Sequence, residues 1–115
     1  MIVLFDRNGL AIIRLYDDWF VAYSEPLHLG WLNGDAVYDQ RGQHIGWYGG
    51  KEDHPGDLWD KQGRLVVTCN GSTYPGMAGT PGRPGRPGFS GVSGRPGFSN
   101  QWAPTTFWEF FGVRK

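Results

Sequence analysis

A four-residue turn pattern, Asp-x-x-Gly, recurs in the first half of the chain and constrains the fold more than any other feature. Such a pattern predicts a hairpin, because Asp at the first position of a type I turn accepts backbone N–H groups and Gly at the fourth can adopt a positive φ, completing the hairpin with a bulge. Each copy follows an aliphatic-aromatic pair and precedes a β-branched residue, which is typical of flanking strands. The three copies, at residues 6–9, 39–42 and 60–63, place at their ends Asp6, Gly9, Asp39, Gly42, Asp60 and Gly63.

A fourth, degenerate copy is found when Gly30-Trp31 is aligned with Gly46-Trp47. This alignment places residues 23–26 at the turn, so the four turns begin at residues 6, 23, 39 and 60. Four short hairpins favour a closed or nearly closed barrel, because closure removes exposed sheet edges. We therefore predict an all-β fold for residues 1–73: a shallow, four-fold pseudo-symmetric antiparallel barrel of hairpin repeats.

Glycine occupies every third position from residue 76 to residue 97, and residues 76–100 are called the Gly-X-Y segment below. This period is typical of collagen and of polyproline II packing. Three interpretations stay open: a flexible solvated loop, a homotrimeric triple helix, or polyproline II runs packed on each other or on the barrel. A straight polyproline II run of this length would span roughly 75 Å, against a barrel of about 25–30 Å. We therefore expect the segment to double back, with its glycines allowing neighbouring backbones to approach closely.

Within the C-terminal part, residues 101–115, the short run 107–111 carries four large aromatic side chains that need burial. Thr106 and Glu109 have the spacing of a capping box, and Gly112 stands where a helix would end, which favours one or two helical turns. A buried strand fits nearly as well, because the run is too short for its periodicity to decide. Either way, we expect a single domain over residues 1–115 in which the barrel buries Phe107, Trp108, Phe110 and Phe111.

The aromatic-Asp-x-x-Gly hairpins, with Gly30-Trp31 and Gly46-Trp47 on the outgoing strands, resemble the four-fold β-flower family. This family consists of small bacterial-type proteins with a shallow, roughly four-fold symmetric barrel. The resemblance covers residues 1 to about 71, with the C-terminal aromatic residues as a further candidate part, and it implies a fold but no reaction. Similar hairpins occur in YD-type repeats and in Tubby C-terminal-like barrels, whose members include membrane-phosphoinositide binders. The sequence departs from the pattern at residues 23–26, which lack Asp and Gly, and at Val67-Thr68, where Gly-Trp is expected.

Composition and charge argue against several classes of protein. The chain holds 11 Lys and Arg against 11 Asp and Glu, and a net charge of zero disfavours nucleic-acid binding by the whole protein. We expect no membrane-spanning segment and no signal peptide, and hence a cytoplasmic protein, because apolar runs are short and charges follow the first five residues at once. The single cysteine, Cys69, excludes an intrachain disulfide and a multi-cysteine zinc site.

The motifs that would indicate catalysis are missing from the sequence. There is no Gly-x-Ser-x-Gly, no Walker motif and no dinucleotide-binding glycine pattern. Three histidines, His28, His44 and His54, lack metal-ligand spacing, although the first two hold the same position in the repeat and are expected to lie on adjacent hairpins. We therefore predict a protein that is not an enzyme and needs no metal or cofactor.

Two groups of side chains are candidate binding residues. The chain has 18 aromatic residues, and the tryptophans either fill the core or line a central pocket for a hydrophobic or lipid-like ligand. Among residues 76–100 there are three arginines and no acid, whereas residues 1–75 hold ten acids and six bases. These arginines are candidate contacts for an anion or a partner. The candidate ligand-binding residues are Trp31, Trp47, Trp59 and Trp108, and the candidate anion or partner contacts are Arg83, Arg86 and Arg95.

Two functions from different classes follow from these observations. The first is a binding module whose central aromatic-lined site takes a hydrophobic small molecule, a lipid or a membrane surface. The second is a structural or protein-interaction domain that self-associates through the Gly-X-Y segment.

Overall fold

The computed structural model describes residues 1–49 and 56–113. Within these residues it contains eight β-strands and one short α-helix, α1 (Phe107–Phe111), which follows the Gly-X-Y segment. The strands in chain order are β1 (Ile2–Phe5), β2 (Ala11–Tyr16), β3 (Trp19–Ala22), β4 (His28–Asn33), β5 (Ala36–Asp39), β6 (His44–Tyr48), β7 (Leu58–Asp60) and β8 (Leu65–Val67).

Each strand pairs antiparallel with the next one, so the order in the sheet is the order in the chain. Phe5 and Thr68 exchange two backbone hydrogen bonds, of 2.7 and 2.9 Å, which join the end of β1 to the residue that follows β8. The sheet is therefore a nearly closed antiparallel barrel, and the predicted fold class is confirmed. A contact between the first and last strands removes part of the exposed edge that an open sheet would leave.

The turns that begin with aspartate are built as the pattern predicts. Asp6 accepts the backbone N–H groups of Asn8 and Leu10 through one carboxylate oxygen, at 2.9 and 3.0 Å. Gly9 has a φ of 78°, in the left-handed region that favours glycine. The same arrangement recurs in the other two turns, where Asp39 and Asp60 each accept two N–H groups and where the positive φ angles belong to Gly42 and Gly63.

A shift of strand register recurs in all four hairpins that the repeat alignment defines. It lies at Leu4/Phe5, Phe20/Val21, Val37/Tyr38 and Leu58/Trp59. The β3–β4 hairpin has this shift although its connection lacks both Asp and Gly. The predicted fourth repeat is thus confirmed, since the bulge survives where the turn residues differ.

Both faces of the sheet are buried. The face that α1 covers, called the helix face, includes Leu4, Ile13, Phe20, Leu29, Val37, Leu58 and Val67. The face that the Gly-X-Y segment covers, called the insert face, includes Trp19, Val21, Trp31, Tyr38, Trp47, Trp59 and Leu65. Because side chains alternate between the faces of a strand, a strand such as β3 contributes Phe20 to one layer and Val21 to the other.

The C-terminal aromatic segment is helical, which decides between the helix and the strand left open above. Thr106 accepts the N–H of Glu109, the Glu109 carboxylate accepts the N–H of Thr106, and Gly112 ends the helix at a φ of 72°. Phe111 is buried and packs on Phe20, with ring centroids 5.5 Å apart. The other three aromatic side chains, those of Phe107, Trp108 and Phe110, are half-buried against the same cluster.

Two glycines of the sheet make room for this helix. A Cβ on Gly30 would stand 3.0 Å from the ring of Phe111, and a Cβ on Gly46 would stand 2.7 Å from the ring of Phe110. The glycine of each Gly-Trp pair therefore lies under α1. A larger residue would collide with the helix and, at still shorter range, with a carbonyl oxygen of the neighbouring strand, that of Tyr38 or Trp59.

The Gly-X-Y segment is folded back on the barrel. Its flanking residues are held by bridges, Thr73 to Leu10 and Trp102 to Leu65. The described residues extend 35 × 33 × 23 Å, so a straight rod of roughly 75 Å is excluded and the expectation that the segment doubles back is confirmed. Within the segment, the backbone N–H groups of Ala78, Ser90 and Ser99 donate to carbonyl oxygens of the barrel.

The expected role of the periodic glycines is wrong within this chain. We expected glycine to let neighbouring backbones approach, but a Cβ at any of the eight positions would meet no atom of the described residues within 4 Å. None of the eight has a positive φ either. The segment contacts the barrel through its other residues, and its glycines face open space in the single chain. The eight glycines are Gly76, Gly79, Gly82, Gly85, Gly88, Gly91, Gly94 and Gly97.

The turn glycines provide a test of the contact between the barrel and the Gly-X-Y segment. We expect Gly42→Ala to lower the free energy of unfolding more than Gly9→Ala does. Their φ angles are similar, 87° and 78°, so both changes introduce a strain of about 1–2 kcal/mol. Only the Cβ at residue 42 collides with the segment, at the carbonyl of Gly88, and such overpacking costs about 1–3 kcal/mol more.

Urea denaturation of the two variants measures this difference. Gly9→Ala is the matched control, because a Cβ there has no neighbour closer than 3.9 Å. Equal losses of stability in the two variants would contradict the contact between this turn and the segment.

Candidate functional site

The four tryptophans that the sequence analysis gave as candidate ligand-binding residues lie in two separate places. Trp31, Trp47 and Trp59 belong to the insert face and are 0, 4 and 0% exposed. Trp108 is half-buried on α1, against the helix face. The four side chains therefore do not line one central pocket, and the burial of the three on the insert face agrees with the first of the two alternatives, that the tryptophans fill the core. The alternation of a strand shows which residues share a face, but it does not show what covers that face.

Arg83 covers part of the insert face by two kinds of contact. Its guanidinium donates to both carboxylate oxygens of Asp18, at 2.7 and 3.1 Å. It also lies over two indole rings, 5.7 Å from the centroid of Trp19 and 5.1 Å from that of Trp31. The hydrogen bonds from Arg83 hold the pKa of Asp18 below its usual value. Arg83 therefore occupies a cage of two indoles and one carboxylate.

Arg95 makes the equivalent contacts in the neighbouring repeat. It pairs with Asp35, and its guanidinium lies 4.9 Å from the centroid of Trp47. Arg86 also contacts Asp18, at 3.2 Å, and lies 4.9 Å from the centroid of Phe89. The three candidate anion-binding arginines thus contact carboxylates of their own chain.

The sequence analysis did not single out the carboxylates in these pairs. Asp18 lies in the two-residue connection between β2 and β3, and Asp35 lies in the one between β4 and β5. The excess of acid in residues 1–75 over the basic Gly-X-Y segment was the available signal. Composition alone cannot assign a partner, because the pairing depends on the path that the segment takes over the barrel.

Arg14 is a third residue that the sequence analysis missed, after Asp18 and Asp35. It is fully buried, and its guanidinium donates to the carbonyl oxygens of Ala22, at 2.8 and 3.0 Å, and Ala78, at 2.8 Å. It follows the start of its turn by eight residues, as Trp31 and Trp47 follow theirs, so the repeat alignment held the signal. Burial of a guanidinium is tolerated because its donors are satisfied, and here the bonds attach the start of the Gly-X-Y segment to the sheet.

The two described histidines occupy equivalent places, as expected. His28 packs edge-on against Trp31, at 4.9 Å between ring centroids, and His44 packs in the same way against Trp47, at 4.7 Å. Burial lowers the pKa of both imidazoles, although a carbonyl oxygen near each ring favours the charged form. His54 lies outside the described residues. Both described rings therefore act as packing groups of the insert face at neutral pH.

The three repeated aspartates, Asp6, Asp39 and Asp60, do not come together as ligands of one metal ion. Their carboxylates accept backbone N–H groups in three separate turns. Among residues 1–49 and 56–113, no group of three or more His, Cys, Asp or Glu side chains is placed to hold a metal ion.

A cleft of about 380 Å³ opens between α1 and the β1–β2 turn. Its walls include the side chains of Ile12, Val66, Phe107 and Trp108, and most of its lining is apolar. The indole and phenyl rings on α1 are 4.2 Å apart between centroids and present one continuous surface. Clefts of about 300–1,000 Å³ with a few polar groups are typical of small-molecule sites.

In the described part of the chain, Arg7 places a cation at the rim of this cleft. Arg7 is exposed, and its guanidinium lies 5.6 Å from the centroid of Trp102. Its hydrogen bond to the carbonyl oxygen of Ala103 is long, at 3.4 Å. The Asp6 carboxylate also lines the cleft, but one of its oxygens is already occupied by the turn. The geometry thus combines an apolar wall with a guanidinium at one side.

A smaller cleft of about 230 Å³ lies beside the first one. Ile12, Phe107 and Trp108 line both clefts, so these three side chains form the wall between them. The opposite side of the smaller cleft includes Ala22 and Pro75. Of the four nominated tryptophans, Trp108 is the one that this geometry connects with a site.

Two comparisons return no relative: neither a curated protein nor a solved structure matches the chain significantly. The family comparison does return a match. Residues 2–111 match the family model of the 4-fold beta flower proteins, which agrees with the four register-shifted hairpins of the barrel. Because the match spans nearly the whole chain, this protein belongs to the 4-fold beta flower family. In the described part of the chain, no helix is long and apolar enough to cross a membrane.

The buried histidines predict how stability depends on pH. Burial holds the folded-state pKa of His28 and His44 below 6.5, so the unfolded chain takes up protons first as the pH falls. The contribution of the two neutral imidazoles to the free energy of unfolding is fully present above pH 6.5. It is lost as the pH falls through their folded-state pKa. The nearby Arg83 also opposes protonation of His28.

Urea denaturation at pH 7.5 and pH 5.0 tests this dependence. We expect the wild type to lose stability over this interval, and the double variant His28→Gln, His44→Gln to lose less. The interval stays above the range in which Asp18 titrates, since the pKa of that carboxyl is lowered from 3.8. An identical loss in both proteins would contradict the burial of the imidazoles.

Proposed function

We propose that this chain is a non-enzymatic binding module whose ligand is an amphiphile with an apolar body and an anionic head. The observation that carries the proposal is the cleft between α1 and the β1–β2 turn, in which apolar side chains meet one guanidinium. The ligand class is the lipid-like one that the aromatic content indicates, and its site lies at the edge of the barrel instead of its centre.

The apolar body of the ligand packs against the α1 side of the cleft. Phe107 and Trp108 are half-buried and stand next to Ile12 and Val66, so their exposed surfaces lose water when a hydrocarbon chain binds. An aromatic side chain at the centre of such a contact is the kind of residue that dominates binding free energy.

The anionic head binds at Arg7. This side chain is already oriented by the ring of Trp102, and its contact with Ala103 is weak enough to leave N–H donors for a carboxylate. The Asp6 carboxylate in the same cleft favours a head with a single negative charge at the Arg7 side, because further charge would be repelled.

Binding of dodecanoate below its micellar concentration tests the proposal. We expect the wild-type melting temperature to rise with ligand concentration, because ligand binds the folded state alone. Trp108→Ala is expected to weaken binding at least tenfold, about 1.4 kcal/mol. Phe98→Ala, a change of similar kind on the insert face, is the matched control and should leave the affinity unchanged.

The role of the head group is separated by comparing dodecanoate with dodecanol. Arg7→Gln should weaken the binding of the acid and leave that of the alcohol unchanged. The absence of any thermal shift with either compound would contradict the binding module, and equal effects of Arg7→Gln on both would contradict the anionic head.

The glycines of the Gly-X-Y segment support a second candidate function, self-association. Glycine at every third position is needed where another backbone passes at close range, as in packed polyproline II chains. Nothing within residues 1–49 and 56–113 imposes this need, because these residues leave open space at all eight positions where a Cβ would stand. The open glycine edge thus suits contact with the same segment of another copy.

Sedimentation of a glycine-edge variant tests self-association. Gly82→Ala, Gly85→Ala leaves the fold of one chain unstrained, since neither glycine has a positive φ or a close neighbour. We expect the wild type to sediment as an oligomer at high concentration and the variant to sediment as a monomer with unchanged thermal stability at low concentration. A monomeric wild type would contradict this second function.

A further inference from the structure

The Gly-X-Y segment contains the sequence Gly-Arg-Pro-Gly-Phe-Ser twice. The first copy spans residues 85–90 and the second spans residues 94–99, so the copies are nine residues apart. The three-residue glycine period accounts for the glycines in both copies, but it does not require the same Arg, Phe and Ser in each.

Both copies dock on the barrel with the same pair of contacts. Phe89 stacks on Tyr38 with ring centroids 4.3 Å apart, and the N–H of Ser90 donates to the carbonyl of Gly42 at 2.8 Å. In the second copy, Phe98 packs on Trp59 at 5.2 Å, and the N–H of Ser99 donates to the carbonyl of Gly63 at 2.9 Å.

The barrel residues in these contacts come from the hairpin repeat itself. The aromatic residue directly precedes the turn aspartate, and the carbonyl belongs to the glycine that ends the same turn. A hairpin therefore forms one subsite, with a ring for Phe and a carbonyl for the next N–H. The first hairpin is used similarly, since Phe5 packs on Tyr74 at 5.4 Å and Gly9 accepts the N–H of Thr73 at 3.0 Å, in reversed chain order.

The turn glycines bring the two backbones close together. A Cβ on Gly42 would collide with the carbonyl of Gly88, and a Cβ on Gly63 would collide with the carbonyl of Gly97. Each turn glycine therefore contacts the backbone of the segment at the Gly-Phe step of one copy, in addition to the contacts that the side chains make.

The arginine of each copy contacts a carboxylate of the barrel. Arg86 of the first copy pairs with Asp18 at 3.2 Å, and Arg95 of the second copy pairs with Asp35 and lies over Trp47. Arg83, which precedes the first copy, shares Asp18 with Arg86. The carboxylates belong to the barrel and the guanidinium groups to the segment, so the two surfaces are complementary in charge. Aromatic rings beside a carboxylate are a suitable environment for a peptide arginine.

We propose that the insert face of the barrel is a peptide-recognition surface for extended Gly-Arg-Pro-Gly-Phe-Ser sequences, and that the Gly-X-Y segment is its tethered occupant. The partner is an extended peptide with arginine and an aromatic residue at this spacing. This surface lies on the opposite face of the sheet from the amphiphile cleft, and the inference is independent of that proposed function.

A tethered occupant has consequences for measurement. A segment joined to the barrel at both ends competes at an effective concentration in the millimolar range, so a peptide at micromolar concentration does not displace it. The segment must therefore open without unfolding of the barrel, and weakening its own contacts must reveal binding of the peptide in trans.

Native-state hydrogen exchange of the full wild-type chain tests the first consequence. We expect the amides of Ser90 and Ser99 to exchange at least about tenfold faster than those of Phe5 and Asp60, which are bonded within the barrel. Exchange of all four amides at the rate of global unfolding would overturn the proposal, because the segment would then be an inseparable part of the fold.

A labelled peptide of residues 85–99 tests the second consequence. It is added to the full-length variant Phe89→Ala, Phe98→Ala, whose fold is verified by exchange protection of the barrel amides. We expect the peptide to bind this variant at least about tenfold more tightly than the wild type. A peptide with both phenylalanines replaced by alanine is the matched control and should not bind.

Asp35→Asn in the same background tests the arginine cage. It should weaken the binding of the peptide and have no effect on a peptide in which Gln replaces both arginines. Failure of the labelled peptide to bind the double variant, when the Ser90 and Ser99 amides of that variant exchange freely, would overturn the proposal. Formation of exchanged dimers would support it, since the segment of a second copy carries the recognised sequence.

Discussion

An eight-stranded sheet that buries both of its faces has to be covered on each side, and most of this structure follows from that requirement. Antiparallel sheets commonly leave one face in water, with polar and apolar residues alternating along each strand. Here β3, β7 and β8 are buried at every position. The barrel of short hairpins cannot bury both layers of side chains by itself. Two further parts of the chain therefore cover it, α1 on one face and the Gly-X-Y segment on the other.

The two covers work by different physical means. α1 is a capped helix that places Phe111 against Phe20, and Gly30 and Gly46 let it approach the sheet. The Gly-X-Y segment has no regular hydrogen-bonded structure of its own, so it is held by arginine cages, ring stacking and hydrogen bonds to turn carbonyls. Clefts remain between α1 and the barrel, whereas the Gly-X-Y segment makes the same kind of contact with two hairpins of the repeat.

This division assigns amphiphile binding and peptide recognition, as proposed above, to opposite faces. The proposed amphiphile site includes Trp108 and Arg7 beside α1, where apolar surface remains accessible. The proposed peptide surface includes Tyr38 and the Asp35 cage, which the Gly-X-Y segment occupies. We therefore expect each proposed function to respond to substitutions that leave the other intact.

The sequence by itself determined the hairpins, the bulges and the cap of α1, because these depend on residues a few positions apart. Asp6 with Gly9, and Thr106 with Glu109, act within a single turn, so their spacing was sufficient to predict their structure. The tertiary structure alone decided that Trp31 lies beneath Arg83, while Trp108 borders a cleft. Alternation along a strand separates two faces, but the long-range path of residues 72–113 decides which of them is covered and by what.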